Sequence, residues 1–325
     1  MIRVIVMAVI SFVTAALLGH FLLPVLRALK AGQSVRSIGP TWHNNKAGTP
    51  LMMGLMFIGS SLVCLLLNLP NTQEFSAIYV FILAFCFGAI GFLDDYCKVR
   101  NRRDMGLTAL QKSFLQAAVS AVFLYTLYMQ GILTCDLYIP FANVRFYISP
   151  AVYLLLSLFI MVGTVNAVNL TDGIDGLSAS VTIPVMVFFA AAALAVDREE
   201  LAVLPAAMIG GLLAFLGLNW HPAKAFMGDT GSLFMGGVVC GLAYAMDMPL
   251  VLVFVGFVYL VETLSVILQV SYFKLTHGKR LFKMSPIHHH FEMSGWKEEK
   301  IVLSFAGVSV LMCIVAWLSI SGLVG

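Results

Sequence analysis

Two long apolar runs, at 151–168 and 177–196, meet the stretch Asn166-Ala-Val-Asn169-Leu-Thr171-Asp172-Gly-Ile-Asp175-Gly-Leu177. Runs of this length predict helices that cross a membrane, since about 20 apolar residues span the hydrocarbon layer. A charged side chain deep in a bilayer costs roughly 2.5–3.5 kcal/mol, so acids and amides between such runs indicate a binding partner or a reaction. The stretch therefore points to both the fold class and the site of function.

The composition extends this interpretation to the whole chain. Hydrophobic residues make up 60% of the sequence and charged residues 11%, and the mean hydropathy is +0.95. Soluble domains carry about a quarter charged residues. The other apolar runs lie at 2–29, 51–69, 76–93, 110–130, 201–218, 231–246, 250–276 and 301–323. We predict an all-α integral membrane protein of about ten transmembrane helices that forms one domain, 1–325.

The basic residues predict how the chain is oriented. If the loops alternate between two faces, one face holds the loops at 31–50, 94–109, 169–176, 219–230 and 277–300. Of the 19 lysines and arginines, all except Arg3, Arg145 and Arg198 lie in these loops or at the helix ends beside them. The positive-inside rule makes this face cytoplasmic and places both termini on the periplasmic or extracellular side.

The same asymmetry limits the partners that we predict. The net charge of +3 is explained by topology and by attraction to anionic membrane lipid. Because no basic groove interleaved with aromatic residues is present, no nucleic acid is predicted as a partner. On the outer face, alternation around 135–147 predicts a small β-hairpin, or else an ordered connector.

Acidic pairs stand at the predicted cytoplasmic boundary. Asp94 and Asp95 follow the third run, where they could bind magnesium, supply a base, or simply end a helix among basic residues. Asp172 and Asp175 are three residues apart, as are Asn166 and Asn169 one turn earlier. This spacing brings side chains to one side of a helix. An EF-hand is not predicted, because its ladder of ligands and terminal Glu are missing.

A glycine-rich segment precedes the eighth run. In Gly228-Asp229-Thr-Gly231-Ser232, backbone N–H groups at a helix start could hold a phosphate and Asp229 a metal ion. An ordinary helix cap is compatible with this function. Phe226, a few residues earlier, could stack on a flat ring.

A histidine triplet and a basic loop complete the polar face. His288-His289-His290 could hydrogen-bond phosphate or sugar oxygens. Zinc is not predicted, because neighbouring residues in an extended loop point in opposite directions and no cysteine accompanies them. The loop at 43–50 could grip phosphates or be an ordinary basic loop. In the ninth run Glu262 is expected to pair within the bundle, and Gln269 could line a site.

Together, carboxylates and loops that could bind phosphate at the cytoplasmic membrane boundary predict magnesium-assisted phosphoryl transfer involving a lipid-borne group. An ion-coupled transporter is an alternative, but it would need acids near the bilayer midplane, where Glu262 is the one candidate. An isoprenoid synthase would need Asp-Asp-x-x-Asp, whereas Tyr-Cys-Lys98 follows the two aspartates.

These motifs resemble those of the polyprenyl-phosphate N-acetylhexosamine-1-phosphate transferases, in the order typical of that family. The segment from Pro286 to Trp296 is similar to the muramoyl-pentapeptide branch. The family pattern Thr-Met-Gly-Gly after Pro50 is replaced here by Leu51-Met-Met53-Gly54. The segments that carry the resemblance are Lys46-Ala-Gly-Thr-Pro50, Asp94-Asp95, 166–176, 219–231 and 286–295.

The resemblance implies a reaction in a bacterial inner membrane. UDP-N-acetylmuramoyl-pentapeptide and undecaprenyl phosphate would give lipid I and UMP, or another UDP-N-acetylhexosamine would be used. It also implies Mg²⁺ as cofactor, held chiefly by Asp229, and a homodimer. The implied catalytic residues are Asp94, Asp95, Asp229, His288, His289 and His290. The implied substrate-binding residues are Lys46, Thr49, Lys112, Asn166, Asn169, Asp172, Asp175, Asn219, Phe226 and Gln269.

Overall fold

The fold is a helical bundle with one small hairpin, and the computed structural model describes residues 1–29, 48–101 and 106–324. The first helices are α1 (Ile2–Ala28), α2 (Leu55–Asn68), α3 (Ser76–Asn101) and α4 (Ala109–Met129). Strands β1 (Asp136–Ile139) and β2 (Val144–Tyr147) follow. The remaining helices are α5 (Pro150–Thr171), α6 (Leu177–Ala195), α7 (Glu199–Asn219), α8 (Gly228–Ala245), α9 (Leu252–Val255), α10 (Phe257–Leu275), α11 (Ile287–Glu292), α12 (Glu298–Ser319) and α13 (Ser321–Val324).

A long helix occurs in each of the ten predicted apolar runs. Among the described residues, seven are long and apolar enough to cross a membrane, namely α1, α3, α5, α6, α7, α10 and α12. Helix α2 is apolar but has 14 residues. The run at 250–276 is not one continuous helix, because α9 ends at Val255 and α10 begins at Phe257, with Gly256 between them. The chain is therefore a multi-pass membrane protein, while the number of ten crossings stays a prediction.

Helix α8 is the centre of the bundle. Every residue of α8 except Asp229 is buried, as expected of a helix that is apolar on all sides. Small residues let its neighbours approach closely. A Cβ atom built on Gly237 would lie 2.8 Å from the Ala84 Cα atom of α3, and one on Gly236 would lie 2.8 Å from the Val165 Cα atom of α5. The core thus holds α8 rigidly between α3 and α5.

Polar contacts at one end of the bundle join the hairpin to the ends of α8 and α12. Strands β1 and β2 pair antiparallel, so the predicted hairpin is present, while its place on the outer face stays a prediction. Arg145 pairs with Asp247 after α8 at 2.5 Å, and the Phe141 N–H donates to the Ser319 carbonyl of α12 at 2.8 Å. Asp229 lies at the opposite end of α8, next to the acidic pair of α3. The structure therefore separates the two sets of loops.

We expect the native cysteines to report which end faces the cytoplasm. Variants that keep one cysteine, either Cys135 beside the hairpin or Cys97 near the end of α3, are treated with a membrane-impermeant maleimide in right-side-out vesicles. Cys135 should be labelled in intact vesicles, and Cys97 should be labelled only after the vesicles are permeabilised. Labelling of Cys97 first would reverse the predicted topology.

Gly91 allows α3 and α8 to approach each other closely. A Cβ atom at this position would lie 2.1 Å from the Asp229 carbonyl oxygen. Gly91→Ala should therefore lower the free energy of unfolding by about 1–3 kcal/mol, since overpacked backbone cannot relax cheaply. Gly163→Ala in α5 is the control, because its Cβ would meet nothing within 4 Å. Equal thermal unfolding of both variants in detergent would contradict this packing.

Candidate active site

Three aspartates converge where α3 ends and α8 begins. One carboxylate oxygen each from Asp94, Asp95 and Asp229 lie within 4.8 Å of one another. Asp94 and Asp95 are almost completely buried, whereas the Asp229 side chain is 18% exposed. The structure thus brings together two acidic motifs that are more than a hundred residues apart in sequence.

Asp95 caps the first turn of α8 from the neighbouring helix. Its Oδ2 accepts hydrogen bonds from the Thr230 N–H at 2.9 Å and the Thr230 hydroxyl at 2.7 Å. Its Oδ1 accepts from the Asp229 N–H at 3.2 Å. A carboxylate is favourable at this place, because the first N–H groups of a helix lack partners within it and carry partial positive charge. Asp95 thereby fixes the position of Asp229.

Two lysines lie against the aspartates and neutralise part of their charge. Lys112 Nζ lies 2.7 Å from Asp229 Oδ2 and 3.4 Å from Asp94 Oδ2. Lys98 Nζ lies 3.0 Å from Asp229 Oδ2 and 2.5 Å from Asp94 Oδ2. Lys98 is a site residue that we did not assign to the site from the sequence, although its position four residues after Asp94 on a helix was a usable signal.

The two asparagines of α5 serve different partners. Asn169 Nδ2 donates to Asp229 Oδ1 at 3.0 Å and to the Ser232 hydroxyl at 2.7 Å, so this residue belongs to the aspartate cluster. Asn166 Nδ2 instead donates to Gln116 Oε1 at 2.7 Å and to the Val162 carbonyl. Asn166 therefore joins α5 to α4 beside the cluster.

The loop between α5 and α6 forms a second wall. Burial and the nearby carboxylates of Asp229, Asp95 and Asp175 raise the pKa of Asp172 to about 8. Asp175 Oδ2 accepts from the Ala223 N–H at 3.0 Å and lies 2.9 Å from His221 Nδ1. Asp175 is thus a link to the loop at 219–227, while Asp172 lies closer to the aspartate cluster.

Asn219 joins the same two loops. Its Oδ1 accepts from the Gly176 N–H at 2.9 Å, and its Nδ2 donates to the Ala225 carbonyl at 2.9 Å. Gly176 has a φ of 77°, a left-handed conformation that favours glycine. These contacts hold the wall next to Phe226.

The segment after Pro50 lies along the start of α8. The Phe226 N–H donates to the Pro50 carbonyl at 2.8 Å, and the Met53 N–H donates to the Phe226 carbonyl at 3.0 Å. Phe226 and Thr49 are both partly buried at this junction. Lys46 lies outside the described residues.

The three histidines lie on the short helix α11, which corrects the extended loop that we expected. Successive side chains on a helix diverge by about 100°, so each histidine has its own environment. His288 is fully buried and pairs through Nδ1 with Glu262 at 3.0 Å. His289 pairs with Glu292 at 2.5 Å, and His290 Nδ1 accepts from the Lys283 N–H at 3.1 Å.

Gln269 supports the segment that precedes these histidines. Its Oε1 accepts from the N–H groups of Leu281 and Phe282 at 3.0 and 2.8 Å, and its Nε2 donates to the Phe282 carbonyl at 3.1 Å. Glu262 pairs within the bundle, as predicted. Glu262 therefore contacts a histidine of α11, and Gln269 contacts the segment that precedes α11.

A cavity of about 330 Å³ opens beside this region, and it is lined by His221, Glu292, Trp296, Lys297, Glu298 and Glu299. His221 Nδ1 lies 3.5 Å from Glu298 Oε2, and the Asp175 N–H donates to the same carboxylate at 3.2 Å. The start of α12 is thus tied to the wall that contains Asp175. The cavity is large enough for part of a substrate.

Comparison with known proteins first defines the class. The family described as "Glycosyl transferase family 4" matches residues 77–247, a segment that includes all three aspartates and both asparagines. The cluster of aspartates at one end of the helices agrees with a membrane-bound transferase.

Similarity over nearly the full length is more specific. A protein of Clostridium acetobutylicum is 44% identical over 96% of this chain and 97% of its own length. A protein of Caldanaerobacter subterraneus subsp. tengcongensis is 45% identical over 98% of this chain and 99% of its own length. Both are named phospho-N-acetylmuramoyl-pentapeptide-transferase. The chain belongs to the family of phospho-N-acetylmuramoyl-pentapeptide-transferases.

The free energy of unfolding should distinguish the capping role of Asp95 from the role of the more exposed Asp229. Asp95→Ala removes the acceptor of three hydrogen bonds and should lower the free energy of unfolding by about 1–3 kcal/mol, because buried donors lose their partner. Asp229→Ala, at a more exposed carboxylate, should cost less. Thermal unfolding in detergent compares the two, and a reversed order would refute the capping role of Asp95.

Proposed function

We propose that this chain transfers phospho-N-acetylmuramoyl-pentapeptide from its UDP-activated form to undecaprenyl phosphate, giving lipid I and UMP in peptidoglycan biosynthesis. The observation that carries the proposal is the meeting of three aspartates with Lys98 and Lys112 at one end of membrane helices. Relatives that bear the name of this transferase align with almost the whole chain, which supports the substrate pair.

Phosphoryl transfer to a phosphate requires orientation more than proton removal. An oxygen of the lipid phosphate attacks the phosphorus that carries the sugar, a new P–O bond forms, and the bond from that phosphorus to UMP breaks. A phosphate monoester has a second pKa of about 6, so the nucleophile is already largely ionised near neutral pH. We therefore favour one step without a covalent intermediate on an aspartate.

The residues present fit a divalent cation, and we propose Mg²⁺. Carboxylate oxygens are the ligands that Mg²⁺ prefers, and three carboxylates converge here. Asp229 is the most exposed of them and is the proposed principal ligand, with Asp94 beside it. When bound, the cation supplies charge neutralisation for the phosphate groups. Asp95 holds Asp229 in place through the backbone of α8.

The lysines are assigned to the phosphates. Their ammonium groups already lie between Asp94 and Asp229. A substrate phosphate would give them a further anionic partner, and this attraction would become stronger as negative charge develops in the transition state. Lys46 and Thr49 are proposed to contact phosphates from the loop before α2. Asn169 orients Asp229 through its amide.

The nucleotide and sugar are assigned to the opposite wall. Asp172, Asp175, Asn219 and Phe226 surround the linked loops after α5 and α7, with the ring of Phe226 available for stacking. His289 and His290 of α11, and the segment held by Gln269, are proposed to meet the sugar-peptide part. The homodimer that the resemblance implies stays a prediction.

Asp229→Ala should abolish magnesium-dependent release of UMP while the protein remains folded. Loss of several kcal/mol of charge stabilisation corresponds to about a 10²–10³-fold slower turnover. The assay supplies UDP-N-acetylmuramoyl-pentapeptide and undecaprenyl phosphate in detergent, with and without a chelator. Asp136→Ala in the hairpin is the control and should keep full activity.

Near-normal turnover of the Asp229 variant would disprove the metal assignment. Offering UDP-N-acetylglucosamine to the unchanged protein tests the substrate. Faster UMP release from that donor would overturn the muramoyl-pentapeptide assignment and leave the reaction class standing.

A further inference from the structure

A carboxylate and an imidazole pair deep inside the protein, behind the proposed nucleotide wall. Glu262 lies on α10 and His288 on α11, and both side chains are fully buried. Glu262 Oε2 lies 3.0 Å from His288 Nδ1. Since burying a charged or polar pair is costly unless its geometry is specific, this contact calls for a reason beyond packing.

The other nitrogen of the imidazole points to the loop after α5. A Cβ atom built on Gly173 would lie 2.2 Å from His288 Nε2, so the ring edge rests directly against the Gly173 backbone, next to Asp172. Among the described residues, Nε2 is buried without a hydrogen-bond partner. Glu262 Oε1 of the same pair also has no hydrogen-bond partner. Buried polar atoms without a partner are unfavourable in a stable fold, so the pair is costly to keep unless it has a function at this loop.

The pair sets the direction of that nitrogen. A carboxylate at Nδ1 requires the proton to be on Nδ1, and it also fixes the plane of the ring. Nε2 is consequently directed at the loop in one orientation. Glycine at 173 keeps the backbone close, because any side chain there would push the ring away.

We propose that Glu262 is a positioning residue, which holds the His288 ring so that Nε2 meets the Asp172–Asp175 wall that is assigned to the donor nucleotide. The inference rests on the proposed function, since it assigns the pair to the UDP-linked donor and not to the lipid acceptor. Glu262 itself contacts no substrate and acts through His288.

The test measures steady-state kinetics separately for the two substrates. Glu262→Gln keeps the volume but offers an amide that can donate to Nδ1, so the proton position is no longer fixed. Its kcat/KM for the UDP-linked donor should fall roughly 10–100-fold, by analogy with the loss when the partner that orients a metal-binding histidine is changed. The KM for the lipid acceptor should stay within about twofold, which a general loss of structure would not allow.

Matched variants make the result specific. Ser265→Ala removes another buried polar group of α10, whose hydroxyl bonds the Glu262 carbonyl at 2.6 Å, and should leave both KM values unchanged. His288→Asn should show the donor defect, and adding Glu262→Gln to it should cause no further loss. Gly173→Ala displaces the ring from the side opposite Glu262 and should show the same donor defect. It provides the test if Glu262→Gln folds poorly.

An unchanged donor kcat/KM in Glu262→Gln, equal losses for both substrates, or additive losses in the double variant would overturn the inference. The unchanged protein is assayed in parallel. Absence of lipid-dependent UMP release from it would instead count against the proposed function itself.

Discussion

The capping of α8 by Asp95 is the interaction on which the site depends. It requires α3 and α8 to be in backbone contact, which Gly91 permits, and it requires the start of α8 to be at the end of the bundle where the polar loops meet. Burial of α8 on all sides then fixes the carboxylate of Asp229 in space. The first N–H groups of a helix have no partner within it, and Asp95 supplies one for Asp229 and Thr230. The same contact therefore stabilises both the fold and the site.

Much of this could be predicted from the sequence. Each apolar run contains a helix, the alternation at 135–147 gives a hairpin, and Asp94, Asp95 and Asp229 meet although nothing in their local sequence requires it. Those predictions succeeded because helix length and hydrophobicity are local properties in a bilayer. Topology then forced the polar loops to a common end.

The remaining features depend on directions that local patterns do not encode. Asn166 and Asn169 have the same spacing and similar neighbours, yet they bond different helices because α4 and α8 pack on different sides of α5. The histidines were expected in an extended loop, but the turn after Pro286 begins a short helix that separates their environments. Asp175 and Asn219 proved to be links between loops, since each loop offers the other unpaired backbone groups.

The lysines give the site a charge balance with consequences for the order of binding. Three carboxylates and two ammonium groups sum to a charge of about −1 when all are ionised, so the cluster attracts a cation and repels a phosphate. A bound divalent ion would change the sum to about +1, and the same surface would then attract anions. Electrostatics alone would therefore favour binding of the cation before the phosphate groups of the substrates.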